Sequence, residues 1–251
     1  MNLSGSLKEI AEYYKKDVKL IESQYNDVAQ KYPGYVKWSN LSANEWNGMN
    51  IDEKDIQSVM EFYKTTPNYI FELMEYHSTE SKQKLSNTVI QISKKQNVNS
   101  ILDFGAGICQ DSILAAKNNL NATAADIPGK TFNFGKWRIK KYQPRVTTLD
   151  ILDDSPLSEN YDAITCFEVL QHVVNPEKTL LHLKDHLTKN GRMFITTRFR
   201  NNYSLALKHN ESLEETFEEL IKKCNLNINE KLHMWGEKEK SKFLYVLSIK
   251  N

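Results

Sequence analysis

The stretch Ile101-Leu102-Asp103-Phe104-Gly105-Ala106-Gly107-Ile108-Cys109 decides how this chain is read. A short apolar run ends in a Gly-x-Gly turn, and helical spacing follows it. Glycine takes positive φ without steric cost and lets the backbone come close to a ligand. A helix that opens there presents free N–H groups and a partial positive charge to a carboxylate or phosphate. That is how a buried parallel strand feeds a ligand-binding turn. A tight β–α turn with no ligand explains the segment too, so its surroundings must decide.

Downstream, short apolar runs alternate with helical ones. The predicted strands are 100–104, 121–125, 146–149, 163–167 and 193–197, with helices over 111–118, 132–141 and 178–187. This alternation implies a parallel sheet covered by helices on both faces. After a helix over 213–224, runs 226–232 and 243–249 have no helix between them. Two such strands must pair antiparallel.

Upstream, no strand candidate precedes residue 100. Leu3, Leu7, Ile10, Tyr14, Ile21, Tyr25, Val28 and Tyr32 recur at helical steps and predict one long helix that Pro33-Gly34 ends. A less regular stretch with Trp38 and Trp46 follows. Asp52 is the expected N-cap of a helix carrying Ile56, Val59, Met60 and Phe62. Two more helices are expected over 69–76 and 81–96. The expected domains are a helical N-terminal cap over 1–93 and an α/β domain over 94–251. The fold class is Rossmann-like α/β, with a mostly parallel seven-stranded sheet and an antiparallel C-terminal strand pair.

Three carboxylates strengthen the ligand reading of the turn. Asp103 stands two residues before the first glycine, Asp126 closes the second strand and Asp150 closes the third. In a parallel sheet these strand ends share one edge, where α/β proteins bind ligands. A carboxylate at the second strand's end can accept from both hydroxyls of a ribose. A nicotinamide dehydrogenase requires Gly-x-Gly-x-x-Gly, and Gln110 stands at its last position.

With these residues the chain resembles the class I S-adenosylmethionine-dependent methyltransferases. Their first motif is acidic-x-Gly-x-Gly-x-Gly, and here it reads Asp103-Phe104-Gly105-Ala106-Gly107-Ile108-Cys109, with Cys109 in place of the third glycine. The resemblance implies S-adenosylmethionine as cofactor, with Asp103, Phe104, Gly105, Ala106 and Gly107 around its methionine part. It implies Asp126 on the ribose, Ile127 against adenine, Asp150 accepting from the adenine amino group, and Ile151 and Phe167 nearby. Residues 161–173 are similar to the family's fourth strand and its exit, and 190–197 to its fifth. The resemblance covers about 94–251.

His172, just beyond the fourth strand, is the candidate base; a purely structural histidine is the alternative. Glu168 precedes it by four residues, so a helix there would put both on one face; capping or solvent exposure is the expectation for Glu168. Thr165-Cys166 lacks the Pro-Cys partner of a cysteine nucleophile, and Cys166-Phe167-Glu168-Val169 is not the Asn/Asp-Pro-Pro-aromatic motif of exocyclic-amine DNA methylation. Tyr14, Tyr69 and Arg198 are the candidate substrate contacts. Tyr13, Trp38, Trp46 and Tyr63 are further aromatics of the cap, and Arg200 is a further basic residue beyond the fifth strand. The basic and aromatic run 130–142 is read as an amphipathic helix with its lysines in solvent.

Composition narrows the partners. The 251 residues carry 33 basic and 32 acidic side chains. That balance argues against a nucleic-acid partner. Three widely spaced cysteines suggest neither a disulfide framework nor a zinc site, and no metal is expected. The first residues show no signal-type apolar run, and no stretch approaches a membrane span. The expectation is a cytoplasmic enzyme, monomer or homodimer, that methylates N or O of a small molecule or short peptide. The alternatives are an RNA-modifying methyltransferase and a non-catalytic scaffold.

Overall fold

The computed structural model of the chain describes residues 1–32, 36–142, 145–152, 157, 159–199, 205–235 and 242–250. Among these, six helices come first: α1 (Leu3–Tyr14), α2 (Val18–Lys31), α3 (Ser39–Gly48), α4 (Ile56–Thr65), α5 (Asn68–Ser78) and α6 (Glu80–Lys95). The α/β part follows as β1 (Ser100–Phe104), α7 (Gln110–Lys117), β2 (Asn121–Asp126), α8 (Lys130–Tyr142), β3 (Thr147–Asp150) and β4 (Tyr161–Phe167). It continues as α9 (Pro176–Asp185), β5 (Leu187–Thr196), α10 (Leu213–Lys223), β6 (Leu226–Trp235) and β7 (Lys242–Ile249).

The strands form one sheet in the order β3-β2-β1-β4-β5-β7-β6. β1 to β5 pair in parallel, and β7 pairs antiparallel with both β5 and β6. This is the expected Rossmann-like architecture. The chain leaves β1 first to one side and then to the other, which opens a crevice beyond the C-terminal ends of β1 and β4. Leu85, Val89, Ile113, Phe132 and Phe194 belong to one apolar core cluster. Leu102, Ile164, Leu180, Leu183, Phe217 and Leu247 belong to a second. Such burial is worth about 25 cal/mol per Å² of apolar surface.

The cap departs from expectation in three places. The first apolar stripe is two helices, because Lys15 turns left-handed (φ 53°, ψ 43°) and Asp17 caps α2 by accepting from the Lys19 N–H. Both halves keep helical spacing, so periodicity alone did not show the break; Pro33-Gly34 lies outside the described residues. The stretch between Trp38 and Trp46 forms α3, polar in sequence but with Ser42 buried. The cap of α4 is Asp55, which accepts from the Gln57 N–H, whereas Asp52 accepts from the Lys54 N–H in the turn before.

The boundary expected at 93/94 falls within α6. Its Leu85, Val89 and Ile90 belong to the same cluster as Ile101 and Ala124 of the sheet. Helices α1, α2 and α5 share a core around Ile10, Ile21, Ile70 and Met74, which takes in Ile108 and Phe134 of the α/β part. Arg138 pins the two parts together. Its side chain is almost fully buried and donates to Glu9 of α1 at 2.7 Å, to the Ile108 carbonyl at 2.7 Å and to Gln110 at 2.6 Å. The expectation for α8 concerned its lysines, of which Lys136 is only partly exposed and pairs with Asp150. Among the described residues, no helix is long and apolar enough to cross a membrane.

Candidate active site

The Gly-x-Gly turn holds positive φ at both glycines, +75° at Gly105 and +51° at Gly107. A Cβ on Gly105 would stand 2.2 Å from Val169 Cγ2, and one on Gly107 would stand 2.7 Å from Leu73 Cδ1. Side chains are excluded there by conformation and by space. Cys109, at the third glycine's position, is itself left-handed (φ 57°, ψ 26°) and leads into α7. Gly105, Gly107 and Cys109 thus all hold positive φ, and the strain falls on Cys109, which alone of the three carries a side chain.

Two carboxylates brace the turn. Asp103 accepts from the Ser112 N–H at 3.1 Å, the Ser112 hydroxyl at 2.6 Å and the Thr165 hydroxyl at 3.0 Å. Burial, then repulsion by Asp111, pushes its carboxyl up to about 6. Asp126 accepts from the Gly107 and Ile127 N–H groups. Burial pushes it up to about 6 against the pull of those two bonds. Each carboxylate oxygen offers about two acceptor sites, so Asp126 retains capacity for further donors.

The crevice is a cavity of about 820 Å³. That is toward the upper end of small-molecule sites, which run ~300–1,000 Å³. Asp103, Phe104, Gly105, Ala106, Gly107, Asp126, Ile127, Ile151 and Phe167 all line it. Asp150 does not; it is exposed and forms an ion pair with Lys136 of α8. The short strand β3 lies at the sheet's edge and turns that carboxylate away, leaving Ile151 and Leu152 at the cavity.

Of the candidate substrate contacts, Tyr69 lines the cavity and Tyr14 and Arg198 do not. Tyr14 stacks on Phe71, with ring centroids 6.4 Å apart, whereas Tyr69, Glu72 and Tyr76 present the face of α5 that lines the cavity. Tyr63 of α4 joins them, edge-on to Tyr69 at 5.5 Å. Arg198 is half-buried, and Arg200 lies outside the described residues.

Beyond β4 the chain does not start the helix that would stack Glu168 on His172. Glu168 is left-handed (φ 58°), and a single 3₁₀ turn covers Leu170–His172. Both residues still line the cavity. Glu168 is only partly exposed, and Lys242 of β7 holds its carboxylate at 2.7 Å. Burial raises its pKa, but the Lys242 charge and hydrogen bonds outweigh that and leave it below the ordinary range. His172 Nδ1 lies 2.9 Å from the Leu205 carbonyl, and burial lowers the ring's pKa below 6.5. A carbonyl only accepts, so Nδ1 carries the proton and Nε2 keeps the lone pair.

Sequence reading missed three residues here. Lys82 lies on the buried stripe of α6 and is 1% exposed, paired with Asp111 and bonded to Ser86 at 3.1 Å. A lysine in register with Leu85 and Val89 was the available signal. Lys242 opens an otherwise apolar strand, and Glu72 interrupts a helical face; neither carries a local signature.

S-adenosylmethionine fits these residues. The glycine turn admits close approach, Asp126 can take two ribose hydroxyls, and Ile127, Ile151 and Leu152 offer apolar surface. A Rossmann-like sheet with a glycine turn and an acidic second strand end defines a class of nucleoside-cofactor proteins. The model of the methyltransferase domain family matches residues 76–240, and the chain belongs to that family. S-adenosylmethionine is the cofactor of the class.

A ubiquinone biosynthesis O-methyltransferase of Rickettsia akari is 25% identical over 175 residues, 68% of this chain and 61% of that protein. The chain thus spans about 61% of that relative's length. A tRNA U34 carboxymethyltransferase of Campylobacter fetus is 35% identical over 92 residues, 36% of this chain and 31% of its own. The magnesium protoporphyrin IX methyltransferase of Synechocystis, solved with bound S-adenosylhomocysteine, superposes with a TM-score of 0.61. It is 16% identical, with 78% of this chain and 100% of that one covered, so the likeness is one of fold.

Proposed function

We propose that this chain moves the methyl group of S-adenosylmethionine to N or O of a small molecule, with His172 as the base. The observation that carries this reading is one cavity lined by the glycine turn, Asp126 and His172 together. The cofactor supplies an activated methyl group on sulfur. The chain's own work is to align the acceptor, exclude water and take up a proton. Tyr63 sits edge-on to the His172 ring at 5.9 Å and steadies it, while the Leu205 carbonyl keeps Nδ1 protonated. A neutral imidazole with a bare Nε2 can accept the acceptor's proton at neutral pH.

The ubiquinone-type relatives support a small acceptor, and a cavity of about 820 Å³ is of a size to hold one. The balanced charge supports weak nucleic-acid affinity. Cys109, Cys166 and Cys224 are free and buried, which supports a reducing compartment such as the cytoplasm. Calorimetry tests the reading. S-adenosylmethionine and S-adenosylhomocysteine should bind in the micromolar range, about −8 kcal/mol, and preference for a nicotinamide dinucleotide would overturn it.

A further inference from the structure

Glu72 is a carboxylate of the cavity wall that makes no bond to the glycine turn. It stands on α5 between Tyr69 and Tyr76, at steps that place all three on one helix face, and each lines the cavity. Tyr63 packs edge-on against Tyr69 and completes an aromatic wall around it. Among the described residues, no lysine or arginine pairs with Glu72. The contrast with Glu75, one turn on, is instructive. Glu75 takes bonds from the Tyr25 hydroxyl at 2.9 Å and from the N–H groups of Lys37 and Trp38 at 2.9 and 3.1 Å, and it pairs with the Lys37 ammonium at 3.6 Å. Glu72 has the Ser42 hydroxyl beside it and no such set. Burial, with repulsion from Glu75, pushes its carboxyl up to about 7 against the pull of Ser42.

The cavity's lysines cannot supply a counter-charge. Lys82 is committed to Asp111 and Lys242 to Glu168, and Lys54 and Lys178 are exposed. A buried carboxylate without a partner takes up a proton unless a cation is bound against it, so a cation entering the cavity would find in Glu72 an acid that ionises to pair with it. Asp103 and Asp126 already belong to the glycine turn.

Resting on the methyltransferase reading above, we propose that the acceptor is an amine that arrives as its ammonium ion, held by Glu72 within the Tyr63–Tyr69–Tyr76 wall. One ammonium proton passes to Nε2 of His172. The freed nitrogen lone pair then forms the bond to the methyl carbon, and the C–S electron pair stays on sulfur.

The test uses the intact chain saturated with S-adenosylhomocysteine and three ring probes of one size. Benzylamine is the cation, benzyl alcohol its neutral counterpart and benzoate the anion. Benzylamine should bind about 10-fold or more tightly than either, as expected for a charge-assisted bond. Glu72→Gln should abolish that preference and leave S-adenosylhomocysteine affinity and the melting temperature intact. Equal binding of benzylamine and benzyl alcohol would overturn the proposal, as would an unchanged preference in Glu72→Gln. Loss of S-adenosylhomocysteine binding in that variant would assign Glu72 to the cofactor, and loss of folding would make it structural; both overturn it. Failure of the wild-type chain to bind S-adenosylhomocysteine would instead sink the methyltransferase reading itself.

Discussion

The His172 ring donates from Nδ1 to the main-chain carbonyl of Leu205 across 2.9 Å, and that bond determines which nitrogen is left basic. General-base help is worth ~10²–10⁴-fold. His172→Ala should lower turnover by that order with S-adenosylhomocysteine affinity unchanged. His172→Gln, which keeps a donor but takes no proton near neutrality, should be equally poor; rescue by Gln would reduce the ring to an orienting role. Because burial depresses the ring's pKa, it stays neutral through pH 7 and gains its proton only below 6.5. Turnover should fall on that acid side.

Asp126 predicts opposite pH trends for the free protein and for cofactor binding. Its folded pKa, about 6, lies above the ordinary 3.8. Between those values the folded state holds more protons than the unfolded one, so its contribution to stability falls as pH rises through this window. The melting temperature of the free chain should therefore carry a component that rises on acidification toward pH 5, absent in Asp126→Asn. Affinity for the cationic cofactor should decline over the same range, because it favours the ionised carboxylate. Parallel trends in the two measurements would remove Asp126 from the site.

Gly135 of α8 lies against the glycine turn. A Cβ there would stand 2.5 Å from Cys109 Sγ and 2.7 Å from the Gly107 carbonyl. Gly135→Ala should cost ~1–3 kcal/mol in denaturant melts and weaken cofactor binding, since the turn has to move. Adding Cys109→Ala should return only part of the loss, because the carbonyl contact remains. Full recovery would mean that the turn backbone is not under pressure.

Lys242 and Glu168 pair at a partly buried wall, with side chains 12% and 21% exposed. Lys242→Met should destabilise the chain by ~1–3 kcal/mol, because it leaves a carboxylate short of its charge partner. Lys242→Met combined with Glu168→Gln should recover much of that loss. A destabilisation unaltered by the second substitution would show that Lys242 acts through packing on Tyr76 and Trp235.

Deletion of residues 1–32 should impair cofactor affinity as well as turnover. Among the described residues, none of α1 or α2 lines the cavity. They carry Glu9, the partner of buried Arg138, which in turn holds the Ile108 carbonyl behind the glycine turn. A truncated chain that keeps full affinity would show that this link is dispensable.

The strands and the glycine turn were legible because each is a local pattern. Apolar runs of strand length, Gly105 and Gly107, and Asp126 at a strand end carry their meaning within a few residues, and β1 was read to the residue. The break at Lys15 was not legible, since both sides share one helical spacing and only the backbone conformation at Lys15 separates them. Nor was α3, whose polar sequence is helical because it packs against α5. What residue order determined by itself was the class of fold and the ligand edge, through periodicity and turn chemistry. What tertiary structure alone decided was the charge map of the cavity. Lys82 meets Asp111 across 29 residues of chain, Lys242 reaches Glu168 from β7, and Asp150 pairs with Lys136 of α8. Burial and pairing set the state of each group, and both depend on which distant elements come together.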